Sequence, residues 1–183
     1  RDDCLATASG VNAIAQTLIA LTRSGDHVLF FVETYGPTRN IIRRLLKRFG
    51  VEHTMLSVED LAGVEKVLAS RPTGLVFFES PRNPVTKVPD IERLVSLAHR
   101  HGALAVIDNT FAGFHQHGDS EIDLYVHSLT KYAWGTGDVM GGAGRHRHDG
   151  QAGVLVRRRR EGRGIGDEYV RHVPALVVAV EHR

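Results

Sequence analysis

The sequence predicts an α/β fold, a mostly parallel sheet flanked by helices, and three observations carry that expectation. Apolar runs alternate with helix-period segments from residue 10 to residue 128, the pattern of successive βα units. Runs such as Ala103-Leu104-Ala105-Val106-Ile107 read as buried strands. Tyr35, Asn83, Asp108 and Lys131 each follow one of these runs, so a parallel sheet gathers them along one rim.

In chain order, residues 10–22 read as a helix and 27–32 as a strand that ends before Tyr35-Gly36. Residues 38–49 read as a basic-faced helix, 51–56 as a strand, 58–68 as a helix and 74–78 as a strand. Pro81 and Pro84 punctuate the loop that follows. A helix over 90–101, a strand over 103–107 and a last strand over 122–127 complete the series. No internal repeat or low-complexity segment interrupts it.

A chain of 183 residues suits one sizeable domain plus a remnant. The lone Cys4 excludes an internal disulfide and points to a reducing cytoplasm. No apolar run approaches the ~20 residues of a bilayer span, so no membrane partner is expected. Net charge is +2 but unevenly spread: residues 1–143 carry 14 basic and 16 acidic side chains, residues 144–183 nine arginines and five acids. A basic tail is a possible nucleic-acid contact. Against it, the tail lacks aromatic interleaving beyond Tyr169 and shows no binding motif.

The chemistry concentrates at His127-Ser128-Leu129-Thr130-Lys131-Tyr132. A lysine just past a strand, beside two hydroxyls, can hold an aldehyde cofactor while the hydroxyls hold its phosphate. That is what a pyridoxal phosphate site asks for, with a carboxylate elsewhere to pair with the pyridinium nitrogen. Lys47, Lys66 and Lys87, the other three lysines, fall where solvation explains them. Asp108 is the candidate carboxylate, against the simpler reading of a turn cap with Asn109 and Thr110. Ser9-Gly10-Val11 offers helix-start N–H groups to an anion. Tyr35 is either a ring-stacking aromatic or an ordinary turn residue, and Asn83 either an amide donor to the cofactor's ring oxygen or a turn residue.

Other signals carry less. The pairs His99/His101, His115/His117 and His146/His148 have metal-like spacing without a completing ligand set, so no metal site is expected and they read as surface histidines. Gly141-Gly142-Ala143-Gly144 lacks the lysine and hydroxyl of a nucleotide loop, and Gly162-Arg163-Gly164-Ile165-Gly166 lacks the dinucleotide spacing.

Together these residues resemble the Cys/Met metabolism family of pyridoxal phosphate enzymes, the group of cystathionine γ-synthase, cystathionine γ- and β-lyases, methionine γ-lyase and the homoserine sulfhydrylases. The likeness covers roughly residues 4–143 and keeps the family's motif order: Ala8-Ser9-Gly10-Val11, Tyr35-Gly36-Pro37-Thr38, Glu79-Ser80-Pro81-Arg82-Asn83-Pro84, Asp108-Asn109-Thr110-Phe111, Ser128-Leu129-Thr130-Lys131-Tyr132 and Gly141-Gly142. The resemblance implies a fold type I, aspartate aminotransferase-like large domain. It implies Lys131, Asp108 and Tyr35 as catalytic residues, with Gly10, Val11, Asn83, Thr110, Ser128 and Thr130 also holding the cofactor. Lys131 would form the Schiff base and then serve as base at the substrate Cα. The implied activity is C–S lysis or γ-replacement on sulfur amino acids or homoserine esters, and Asn83 leans toward γ-acting members. A homodimer or homotetramer is implied for the full-length protein.

Two departures set further expectations. The family's amino-terminal segment reaches a neighbouring subunit's cofactor, and its smaller carboxyl-terminal domain binds the substrate carboxylate; neither is matched here. Residues 1–143 are therefore expected to be a truncated large domain. Residues 144–183, with Gly144-Arg145-His146-Arg147-His148-Asp149 and the run Arg157-Arg158-Arg159-Arg160, are expected to be a basic, irregular tail with the character of an out-of-frame translation. A weakly active or inactive piece of an enzyme is the expectation, and a non-catalytic scaffold or partner-binding piece is the alternative.

Overall fold

A computed structural model describes residues 3–82, 86–113, 117, 120–132 and 140–146. Seven strands form one sheet in the order β1-β7-β6-β5-β4-β2-β3: β1 (Asp3–Thr7), β2 (His27–Phe31), β3 (Glu52–Leu56), β4 (Leu75–Glu79), β5 (Leu104–Asp108), β6 (Leu124–Ser128) and β7 (Gly142–His146). Strands β3, β2, β4, β5 and β6 pair in parallel, and β7 runs antiparallel to both neighbours, β6 and β1. The expected mostly parallel sheet is present.

Among the described residues, four α-helices cover it: α1 (Gly10–Leu21), α2 (Gly36–Asn40), α3 (Leu61–Ser70) and α4 (Ile91–Arg100). Alternation along the strands builds two cores. Leu29, Phe31, Val76, Phe78, Ala105 and Ile107 pack with α3 and α4 on one face. Val28, Phe30, Leu75, Phe77, Val106 and Val126 pack with α1 and the α2 region on the other. Both faces are covered, which is why these strands read as unbroken apolar runs. Burying each of Phe30, Phe31, Phe77 and Phe78, all at most 1 % exposed, stabilises the fold by about 1.5–3 kcal/mol.

Asp60 caps α3 by accepting from Gly63 N–H, and Asp90 caps α4 by accepting from Arg93 N–H. These caps place the starts of both helices at Leu61 and Ile91. The helix expected over 38–49 begins earlier, at Gly36, with Pro37 in its first turn, and widens into π-helical turns over Ile41–Leu46. That widening buries Ile42 and Leu46.

Two strands go beyond the sequence expectation. β1 and β7 pair with each other, Ala6 opposite Ala143, and β7 pairs with β6, Ser128 opposite Gly142. β7 thus carries the sheet to His146, three residues past the expected boundary at 143. In addition, β4, β5 and β6 each end one residue later than expected, so Glu79, Asp108 and Ser128 are terminal strand residues rather than loop residues.

Candidate active site

The parallel strands bring their carboxyl ends to one rim, where the sequence placed its candidate residues. Asp108 ends β5 at 4 % exposure. Its Oδ1 accepts from the Thr110 hydroxyl at 2.6 Å and from the Thr110 N–H at 3.1 Å. The Thr110 oxygen in turn accepts from the Ser128 N–H at 3.0 Å. One threonine therefore ties the end of β5 to the end of β6. Burial pushes the Asp108 carboxyl above its ordinary range, and the two Thr110 hydrogen bonds pull against that rise.

Ser128 faces the amino end of α1. A Cβ added to Gly10 would stand 2.5 Å from the Ser128 Cβ, so only glycine lets the helix start press against this strand end. The Ser9 hydroxyl accepts from Asn12 N–H and the Ser9 carbonyl from Ala13 N–H. The first helical N–H groups, those of Gly10 and Val11, have no partner within a helix by construction. Gly142 closes the same corner: a Cβ there would lie 2.2 Å from the Ser9 carbonyl oxygen. α1 has no acidic residue in its first turn, which leaves its positive end uncompensated.

Lys131 sits in the turn after β6, with its N–H donated to the Ser128 carbonyl at 3.1 Å and its side chain exposed. The Thr130 hydroxyl accepts from Gly141 N–H at 2.9 Å and donates to Gly141 O at 3.2 Å, pinning this turn to the start of β7. Its proton is therefore engaged on the backbone in this state rather than directed at an anion. Tyr132 lies against Phe111, ring centroids 6.2 Å apart, so the turns after β5 and β6 also meet through aromatics. Tyr35 stands at the N-cap of α2 and is 41 % exposed. Asn83 lies outside the described residues.

Glu79, which sequence reading did not single out as a site residue, belongs to this rim. It ends β4 in register with Asp108, and its Oε2 accepts from the Tyr35 N–H at 2.8 Å. Burial first, then the neighbouring Asp108 charge, push the Glu79 carboxyl up to about 8, against the Tyr35 hydrogen bond. A signal for it was present: Leu75-Val76-Phe77-Phe78-Glu79 ends on an acid just as Leu104-Ala105-Val106-Ile107-Asp108 does.

Of the histidine pairs, His99 is not a bare surface group, because its Nε2 meets Asp123 at 2.9 Å. His117 Nε2 meets Asn109 Oδ1. His115 and His148 lie outside the described residues. No cluster of metal-ligating side chains occurs among the described residues, and no helix among them is long and apolar enough to cross a membrane.

This rim fits a phosphorylated cationic ring. The glycine-lined corner between Ser9-Gly10-Val11 and Ser128 offers N–H and hydroxyl donors of the kind a phosphate takes. The buried Asp108 offers a carboxylate of the kind a protonated ring nitrogen takes. Comparison with known proteins agrees. Residues 1–163 match the family model described as Cys/Met metabolism PLP-dependent enzyme. The chain is 42 % identical over 139 residues to canavanine gamma-lyase of Pseudomonas canavaninivorans, covering 74 % of this chain and 34 % of that protein. It is 40 % identical over 144 residues to O-succinylhomoserine sulfhydrylase of Pseudomonas aeruginosa, covering 77 % and 35 %. A Campylobacter jejuni crystal structure that contains N'-pyridoxyl-lysine-5'-monophosphate superposes with a TM-score of 0.71 at 35 % identity, over 80 % of this chain and 36 % of that one. The chain spans about a third of the length of these curated relatives. The fold is that of the fold type I enzymes, and the family's cofactor is pyridoxal phosphate. By family model, relatives and fold together, the chain belongs to the Cys/Met metabolism family of PLP-dependent enzymes.

Proposed function

We propose that this chain is the cofactor-holding part of a transsulfuration-type enzyme, a C–S lyase or γ-replacement enzyme acting on sulfur amino acids or homoserine esters. The observation that carries the reading is the Thr110 bridge, which fixes the buried Asp108 carboxylate beside Ser128 and the α1 amino end. Pyridoxal phosphate, when bound, supplies an aldehyde carbon and an electron-accepting ring.

The chain's own residues divide the remaining work. Gly10, Val11 and Ser128 would bind the phosphate, and Thr130 could join them by turning its proton from Gly141. Asp108 would hold a proton on the ring nitrogen. Tyr35 would offer its aromatic face to the ring, and Asn83 would offer an amide donor to the ring oxygen. Lys131 would hold the cofactor through its amine and could then take and return a proton at the substrate Cα. The relatives' names span lysis and replacement chemistry, and Asn83 leans the reading toward γ-acting enzymes. In the full-length protein we place this part within a cytoplasmic homodimer or homotetramer. Residues 1–143 supply the large domain, whose sheet β7 continues to His146.

Turnover tests this reading. The 183 residues alone should gain a cofactor absorbance band near the visible edge with pyridoxal phosphate, yet process cystathionine, methionine or acylated homoserines near background. The same residues within a protein of the relatives' length should turn over at least one of them on the order of once per second. Absence of the band defeats the cofactor assignment. A band without turnover in the longer protein favours the scaffold alternative, and fast turnover by the 183 residues alone defeats the division of labour.

A further inference from the structure

Two acids end adjacent strands on this rim in matched positions. Glu79 and Asp108 are in register on parallel strands, where side chains at paired positions share a face and the strands lie about 4.8 Å apart. They are 5 % and 4 % exposed. Asp108 has its hydrogen bonds from Thr110, and Glu79 has its own from the Tyr35 backbone, which leaves the two carboxyls without a cation between them among the described residues. The buried guanidinium of Arg82, three residues beyond Glu79 in sequence, is directed to Glu33 at 3.5 Å and Glu59 at 3.0 Å. Two buried carboxyls side by side cannot both ionise without a large cost.

We propose that Glu79 is a positioning residue of the cofactor site that keeps its proton, so that a single negative charge rests on Asp108 while the Glu79 carboxyl holds the Tyr35 backbone in place. The proposal rests on Asp108 as the partner of the ring nitrogen and deepens that reading. The asymmetry follows from the contacts. Asp108 receives two hydrogen bonds from Thr110, one of them from a hydroxyl, and both favour its charged form. Glu79 receives one backbone N–H, which a neutral carboxyl oxygen accepts as well. Among the described residues, the groups that face Glu79 are Asp108 on β5 and the Tyr35 N–H at the start of α2; the former disfavours a charge on Glu79 and the latter tolerates its absence.

This arrangement gives Glu79 two effects on the site. A neutral neighbour leaves the whole negative charge on Asp108, where a ring cation can use it. The Tyr35 hydrogen bond sets where the aromatic side chain stands relative to the Asp108 end of β5. An ionised Glu79 would divide the field between two carboxylates.

The test uses the 183-residue chain without cofactor, its glutamate carboxyl carbons labelled for NMR titration, alongside Glu79→Gln, Glu79→Ala and Asp108→Asn. Glu79 should titrate near 8, and its midpoint should fall clearly in Asp108→Asn. Hydrogen exchange at the Tyr35 N–H should stay slow in Glu79→Gln, whose amide oxygen still accepts, and speed up at least tenfold in Glu79→Ala, about the worth of one hydrogen bond. A Glu79 midpoint in the ordinary carboxylate range, a midpoint indifferent to Asp108→Asn, or equal Tyr35 protection in both Glu79 variants overturns the proposal. The parent reading is tested apart from it, by pyridoxal phosphate affinity. A loss of roughly tenfold or more in Asp108→Asn upholds Asp108 as the ring partner. Unchanged affinity overturns that reading, whatever midpoint Glu79 shows.

Discussion

The two ends of the same sheet use their buried polar groups in opposite ways. At the amino end, His27 is 1 % exposed and satisfied on both ring nitrogens, Nδ1 with Thr73 at 2.9 Å and Nε2 with Thr54 at 2.8 Å. Asp123 accepts there from the Ala105 N–H at 2.7 Å and meets His99 at 2.9 Å. His53 Nδ1 is the exception among these groups, buried without a partner among the described residues. At the carboxyl end, two acids adjoin without a cation between them, and the buried hydroxyls of Thr34, Thr38 and Ser80 have no partner among the described residues. A fold that served stability alone would gain by neutralising this rim. The amino end shows what these strands do with polar groups when structure is the only demand.

The largest break in that comparison comes from Asp108→Asn. In a protein of the relatives' length, turnover should fall on the order of a hundredfold, because an amide removes a charge-assisted contact in a desolvated site. Covalent attachment at Lys131 should persist at saturating cofactor. Unchanged turnover would remove Asp108 from the mechanism.

Glu79 and His27 should respond to pH in opposite senses. With the Glu79 carboxyl raised from 4.5 to about 8, the unfolded chain loses its proton first, so this residue makes stability fall as pH rises between those values. Glu79→Gln should therefore be more stable than the parent chain at pH 8, by about 1–2 kcal/mol, and nearly equal to it at pH 4.5, both read by urea unfolding. Burial holds His27 neutral, lowering it from 6.5 to about 4, with Arg71 and then His53 adding to the effect. Here the unfolded chain gains its proton first as pH falls, so stability drops between those values, by about 2 kcal/mol after solvent screening. His27→Gln should flatten that acid-side loss. An equal loss in the variant would show that His27 does not titrate in the fold.

The smallest effect belongs to His99. Its hydrogen bond to Asp123 raises its affinity for a proton, partly offset by burial, with the Asp123 and Glu121 charges adding to the rise. That stabilisation is fully present below 6.5 and is lost as pH climbs through the raised folded value. Because the pair is partly solvated, with side chains 32 % and 25 % exposed, His99→Gln should cost less than about 1 kcal/mol at pH 6 and still less at pH 9.

What the sequence revealed of this molecule depended on whether residues signalled by their own chemistry or by their partners. Strands β2, β4, β5 and β6 were legible because burial on both faces demands apolar runs such as His27-Val28-Leu29-Phe30-Phe31. β7 was not, since Gly142-Ala143-Gly144-Arg145-His146 has no apolar run and is a strand through pairing on both sides. Its glycines answer to Ser9 and Thr17 of the α1 segment packed on them, contacts that no local pattern records. Asp108, Lys131 and Ser128 were legible from their place after apolar runs. The roles of Thr110 as a bridge and Glu79 as Asp108's neighbour needed the strand register, a long-range property.

In the function proposed above, the carboxyl rim holds pyridoxal phosphate through Lys131. Borohydride reduction of the 183-residue chain mixed with the cofactor, followed by peptide mapping, tests it most directly. A stable pyridoxyl label on Lys131 is the expected result. Label on Lys47, Lys66 or Lys87, with Lys131 unmodified, would contradict it.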